Sequence, residues 1–186
     1  GRLTYKASNG RGVYSFCMCP GGFVVNSSSE QNRLSINGMS NHKRDEENAN
    51  SAIVVTVTPN DFGSNPLDGI KYQRKLEEIT FKEGNGKIPI QLFKDFVDNK
   101  NSTTFGNIKP IFNGNYQFCN LNNIFPQYIS LIFKKILGNS SFSTFIALLS
   151  LYILIEFPTI AFFIWKFLPS LSLSIISSIY SKPSLS

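Results

Sequence analysis

All but one of the 13 glycines and all but one of the 12 acidic residues lie before Ser130, and the chain beyond that point is dominated by Ile, Leu, Phe and Ser. Glycine supplies tight turns and carboxylates keep a surface wet, so the first part can build a turn-rich globular domain and the remainder cannot do so on the same terms. The sequence is therefore expected to divide into a domain over 1–130 and a hydrophobic tail over 131–186. At 186 residues, one domain of ordinary size is the default. The net charge of +6 is spread evenly, with 14 basic against 11 acidic residues up to Ser130 and 4 against 1 after it. Neither part is basic enough to track a phosphate backbone, so nucleic acid is not expected as a partner. The chain opens on Gly1 within a strand-like pattern, with no Met and no basic-plus-apolar leader, so neither a start nor a signal peptide is visible. Three cysteines without a leader favour a reducing compartment, and the cytoplasm is the expected location.

The first part reads as α+β, a mixed β-sheet with packed helices. Val13 to Cys19 alternates Val, Ser, Cys and Cys against Tyr, Phe and Met, which is the period of a strand. Gly21 and Gly22 turn the chain. Phe23 to Asn26 and Leu34 to Met39 form two more short strands, with Asn37-Gly38 offering a left-handed turn position. Ala52 to Val57 is a continuous Ala/Ile/Val run of the kind that lies at the centre of a sheet covered on both faces. A helix follows. Asn65 is suited to cap it and Pro66 to begin it. Gly69, Tyr72, Leu76 and Ile79 recur on one face, Glu78 is placed to meet Lys82, and Gly84-Asn85-Gly86 closes it. Ile88 to Phe93, with Pro89, reads as an edge or connector. Asp98 to Asn120 is loop-rich, and Pro126 to about Leu137 starts another helix.

Five collinear blocks carry a likeness: "LTYKASNGRGVYSFCMCPGG", "NGMSNHKRDEENANSAIVVTVTPNDFG", "NPLDGIKYQRKLEE", "GKIPIQLFKDF" and "NLNNIFPQYIS". Over residues 1 to about 130 the chain resembles the FAD-dependent dehydrogenases of the NAD(P)/FAD oxidoreductase class. In that class the GxGxxG strand-turn-helix lies upstream of where this chain begins, and a glycine-rich segment near the C-terminus returns to the flavin. This sequence contains neither motif. The resemblance therefore implies a fragment that supplies the substrate-side domain over the flavin, with FAD as the cofactor of the whole protein but not retained by the fragment. It further implies a small-molecule substrate and NAD(P)H as a partner.

The candidate chemistry gathers at the "CMCPGG" turn and the charged loop after it. Cys17 and Cys19, at i and i+2 on a strand, share a face about 7 Å apart along the backbone. They read either as a buried structural pair or as thiols beside the flavin ring, which makes them the catalytic candidates. Pro20, Gly21, Gly22 and Asn37 are the positions at which backbone would lie along the flavin, and Arg44 is placed to hold an anionic group bidentately. His42 lies in the same loop, where a solvated role is expected. Asn48, Asn50 and Ser51 read as loop-closing residues that bond side chain to backbone. Cys17, Cys19, Cys119 and His42 have no standard zinc spacing, so no metal is expected.

The tail poses a separate question. Phe142 to Trp165 carries one charge, Glu156, and one proline, Pro158, and about 20 apolar residues suffice to cross a bilayer. The segment reads as helical, either as aberrant, out-of-frame sequence or as a membrane anchor for a small binding protein with a soluble α+β head. Glu156 and Pro158 weigh against the anchor.

Overall fold

A computed structural model describes residues 4–106, 109–138, 149–156 and 159–167. Strand β1 (Thr4–Lys6) turns back into β2 (Gly12–Cys19), which continues into β3 (Gly22–Asn26). Then follow β4 (Ile36–Ser40) and β5 (Asn48–Val55), the helices α1 (Pro59–Phe62) and α2 (Asp68–Glu83), and the short β6 (Ile88–Ile90). Helix α3 (Phe93–Val97), β7 (Phe112–Asn113), β8 (Tyr116–Phe118) and α4 (Gln127–Gly138) come next, and β9 (Leu149–Glu156) and β10 (Thr159–Phe167) form a hairpin.

The α+β class holds, with the strand directions distributed over three sheets. The largest is antiparallel, in the order β1-β2-β5-β10-β9. A second, mixed sheet pairs β3 antiparallel to β4 and parallel to β7, and β6 and β8 form a third, parallel pair. Strand β5 lies in the middle of the largest sheet, as its continuous apolar run predicts. Its Ile53 and Val55 pack in a core with Val13, Leu76, Phe96, Leu121 and Phe133, while its Ala52 packs in a second core with Val24, Leu34, Ile36, Ile88 and Ile90. One strand thus feeds two cores, which explains why its Ala52–Val55 half is apolar without alternation.

Helix α2 presents its expected stripe, with Leu76 buried and Tyr72 and Ile79 packed against the core. Its start differs. Asn65 accepts the Leu67 N–H at 2.9 Å and donates its own N–H to Asp68 at 3.1 Å, so Asn65 caps a preceding turn and the helix begins two residues after Pro66, at Asp68. Glu78 reaches out of the helix to Arg33 at 2.9 Å instead of along it to Lys82. Asn85 and Gly86, both at positive φ, end the helix as expected. Helix α4 buries Ile129, Ile132, Phe133 and Ile136, a spacing of i, i+3, i+4, i+7. The change of composition at Ser130 therefore falls inside a helix that contributes to the first core. Pro89 sits in β6, which has one sheet neighbour and so leaves an edge that needs no donor.

Two local expectations are corrected. Asn37 and Gly38 make no turn; they lie within β4, opposite Val25 and Val24. The tail is extended where a helix was expected, since β9 and β10 occupy most of 149–167 and β10 pairs with both ends of β5, Ile160 to Phe163 opposite Val55 to Ala52 and Lys166 and Phe167 opposite Ala49 and Asn48. The Ile, Phe, Tyr, Thr and Trp content of this stretch suits a strand, and the edge of β5 offers it main-chain partners. Among the described residues no helix is long and apolar enough to cross a membrane, and parts of the suspected anchor, 142–148 and 157–158, lie outside those residues.

Candidate functional site

The β2–β3 turn and the β4–β5 loop, which the sequence singled out separately, meet. Gly21 adopts φ +52°, and a Cβ there would collide with the carbonyl of Arg44. At Gly22 a Cβ would run into the Met39 carbonyl and approach the Asn50 amide nitrogen to 2.8 Å. Both glycines are thus needed because the chain's own backbone closes over them. Arg44 is itself left-handed, at φ +53°, and its N–H donates to the Asn41 carbonyl at 3.0 Å. The Asn41 amide donates in turn to Glu46 at 3.1 Å, which closes the loop on itself. The Arg44 side chain is exposed and makes no ion pair among the described residues, and His42 is exposed beside it.

Cys19 is half-buried at the rim of this cluster, with its thiol 3.7 Å from the Gly38 carbonyl. The side chain of Cys17 lies outside the described residues. Between Phe16, opposite Ala52, and Cys19, opposite Asn50, the β2–β5 ladder slips by one residue. Such a bulge interrupts the period of two on which a shared face for positions 17 and 19 would depend. Asn37 lies one strand away on β4, with its amide 3.5 Å from the Met39 sulfur. Pro20 is exposed at the tip of the turn.

Beneath the turn, Asn50 is buried and donates from its amide to the Phe23 and Met39 carbonyls at 3.3 and 3.4 Å, tying β5 to the β3–β4 hairpin. Asn48 does the same for the Lys109 carbonyl at 3.0 Å. Both bond side chain to backbone as expected, but only Asn50, through Met39 at the foot of the loop, closes it; Asn48 reaches across to the distant Lys109. The cluster offers an exposed guanidinium for an anion and a half-buried thiol, held by closely packed backbone. It offers no cradle for a dinucleotide, because the spaces at Gly21 and Gly22 are filled by protein. The first turns of α1 and α2, where a pyrophosphate would dock, carry Asp61 and Asp68. The residues described do not fit the phosphates of FAD. Nor do they include a group of three His, Cys, Asp or Glu that could hold a metal.

A second polar cluster had no sequence signal. Arg11, just before β2, forms a two-pronged ion pair with Asp61 of α1 at 2.6 and 2.7 Å and donates to the Thr56 carbonyl at 2.9 Å. Its guanidinium lies 4.7 Å from the ring centre of Tyr128 on α4, and the Tyr128 hydroxyl is 3.2 Å from that of Tyr72 on α2. Burial opposes the charge on Asp61, but the hydrogen bonds from Arg11 and the Thr58 N–H outweigh it and hold the carboxyl below its ordinary range. Burial pushes both tyrosines up, and the hydrogen bond to Tyr72 raises Tyr128 further. The cluster borders a cleft of about 180 Å³ between Tyr5 and Ala7 on one side and Tyr128, Leu131, Ile132 and Lys135 on the other. That volume is below the roughly 300–1,000 Å³ of small-molecule sites, so the four side chains serve here as a clamp joining β2, α1, α2 and α4.

Over 138 residues the chain is 52% identical to a protein of Clostridium beijerinckii (strain ATCC 51743 / NCIMB 8052) described as an uncharacterized protein. The match takes in 72% of this chain and 26% of that relative, so the chain spans about a quarter of the relative's length. Residues 2–146, from the strand before the turn through α4, match the family described as FAD-dependent protein, C-terminal domain-like, and the chain belongs to that family.

Proposed function

We propose that this chain is the substrate-side domain of a FAD-dependent oxidoreductase, with the joined β2–β3 turn and β4–β5 loop facing the flavin held by the rest of the whole protein. Support comes from the family, together with the convergence of Gly21, Gly22, Cys19 and Arg44 at one edge. In this reading Arg44 binds an anionic group of a small-molecule substrate or of NAD(P)H, and Cys19 lines the reacting side. Redox chemistry belongs to the flavin, and the domain contributes orientation and field. The fragment alone does not retain FAD, and the whole protein works in the cytoplasm.

The complete Clostridium beijerinckii relative gives the test. It should purify with a flavin absorbance that NAD(P)H bleaches, whereas this chain mixed with FAD should release the flavin on dialysis. Replacing the relative's counterpart of Arg44 by Ala should raise KM with the flavin still bound. A relative that neither carries nor takes up FAD would sink the oxidoreductase reading. A holo structure with the counterpart of Gly21 out of contact with the ring system would sink the role of the turn.

A further inference from the structure

Strand β5 has one neighbour inside the family match and one beyond it. On one edge lies β2, within the residues that match the family; on the other lies β10, Thr159–Phe167, beyond the match, which ends at residue 146. Ala52, Ile53 and Val55 of β5 are fully buried, and they feed two separate cores. That burial is found with β10 in place; independently of it, the two cores that cover the faces of β5 are built from residues up to Ile136, so an open edge would leave a row of main-chain groups between two packed layers, a template for strand pairing. In family members the edge of β5 that β10 covers here is thus available to a main-chain partner. The match accounts for 26% of the Clostridium relative, and the rest of that polypeptide is available to provide one.

We propose that this edge of β5 is an assembly edge: in the whole FAD-dependent protein it accepts a β-strand from outside the matched region, and in this chain β10 fills the same place. The occupant is a main-chain partner aligned with Ala52–Val55 and with Asn48 and Ala49, the positions at which β10 is now paired. Strand addition draws its affinity from backbone hydrogen bonds and tolerates varied side chains. That tolerance explains how a Leu-, Ile- and Phe-rich segment outside the family match can occupy the position. The inference rests on family membership and holds whether or not the β2–β3 turn faces a flavin.

Hydrogen exchange on the complete chain tests it. Ala161→Pro with Phe162→Pro places a missing donor and a steric block at two successive positions of β10, so one of them faces β5 whichever way the strand is turned. The amides of β5 directed at β10 should then exchange faster by on the order of tenfold or more, while those directed at β2 keep their protection. Unchanged exchange along β5 would overturn the assignment of β10 to this edge. The second measurement is a structure of the complete Clostridium relative, where the counterpart of β5 should pair on that edge with a strand from outside the 138 matched residues. An edge open to solvent, or covered by residues within the match, would overturn the proposal. If the double-proline variant does not fold, that structure decides by itself.

Discussion

Gly21 lies directly against the carbonyl of Arg44, at the place where the β2–β3 turn passes under the β4–β5 loop. A methyl group at Gly21 would meet rigid backbone and would also sit at φ +52°, a conformation that L-residues avoid. Gly21→Ala should therefore destabilise the domain by about 3 kcal/mol, at the upper end for a strained backbone position. Gly10→Ala is the control: φ is +83° there, but nothing lies within 4 Å of the added carbon. It should cost about 1 kcal/mol. Urea titration of both variants checks the difference, and equal losses would mean that the loop moves away freely.

The Arg11–Asp61 pair is largely buried, with side-chain exposures of 18% and 7%. Removing one partner leaves the other charge without compensation, so Arg11→Ala should cost about 3 kcal/mol. The pH dependence follows from Asp61. Its folded-state pKa lies below the ordinary 3.8, so the folded state releases this proton more readily than the unfolded chain does. The stabilisation is complete above that ordinary value and is lost as the pH falls through the lower folded-state value. Acid unfolding curves of the native chain and of Asp61→Asn should converge at low pH.

The two tyrosines act at the opposite end of the scale. Burial raises Tyr72 and Tyr128 above 10.0, so the folded state holds their protons more tightly than the unfolded chain. Their contribution is complete below that value and declines as the pH rises through it towards the folded-state pKa. Ultraviolet titration of the native chain should show two tyrosines ionising above the ordinary range, and Tyr128→Phe should remove one of them. Tyr128→Phe removes the hydroxyl that meets Tyr72 and should cost about 1 kcal/mol.

Cys119 is buried, and burial followed by the nearby Glu83 carboxylate pushes its thiol up to about 12. The thiolate is the reactive form, so Cys119 should resist alkylation at neutral pH in the folded chain and react once urea is added. Mass spectrometry of the labelled peptides reads this directly. Labelling of Cys119 at native conditions would show that α4 and the segment before it open readily.

Much of the fold was legible because the signals are local. The alternation from Val13, the apolar run from Ala52 and the stripe through Tyr72, Leu76 and Ile79 each express the geometry of one element, and each element is present, although a bulge interrupts the first between Phe16 and Cys19 and the second strand runs over Asn48–Val55. The failures are non-local. Asn37-Gly38 has the composition of a turn, but pairing with Val24 and Val25 holds it in a strand. The apolar tail has no period that separates helix from strand, and the available edge of β5 decides in favour of strand.

The same division applies to the site. The sequence by itself determined that Gly21 and Gly22 are places of close approach, that Arg44 is presented on a charged loop, and that Asn48 and Asn50 tie side chain to backbone, because those are properties of residue types in short contexts. Only the tertiary structure decided that the body pressed against the glycines is the chain's own Arg44 and Met39 backbone, and that Arg11, Asp61, Tyr72 and Tyr128 form one clamp. Those four residues come from four segments spread over more than a hundred positions. Nothing in their local sequence brings them together; the burial of α2 and α4 on the sheet does, because each buried polar group must then find its partner across the core.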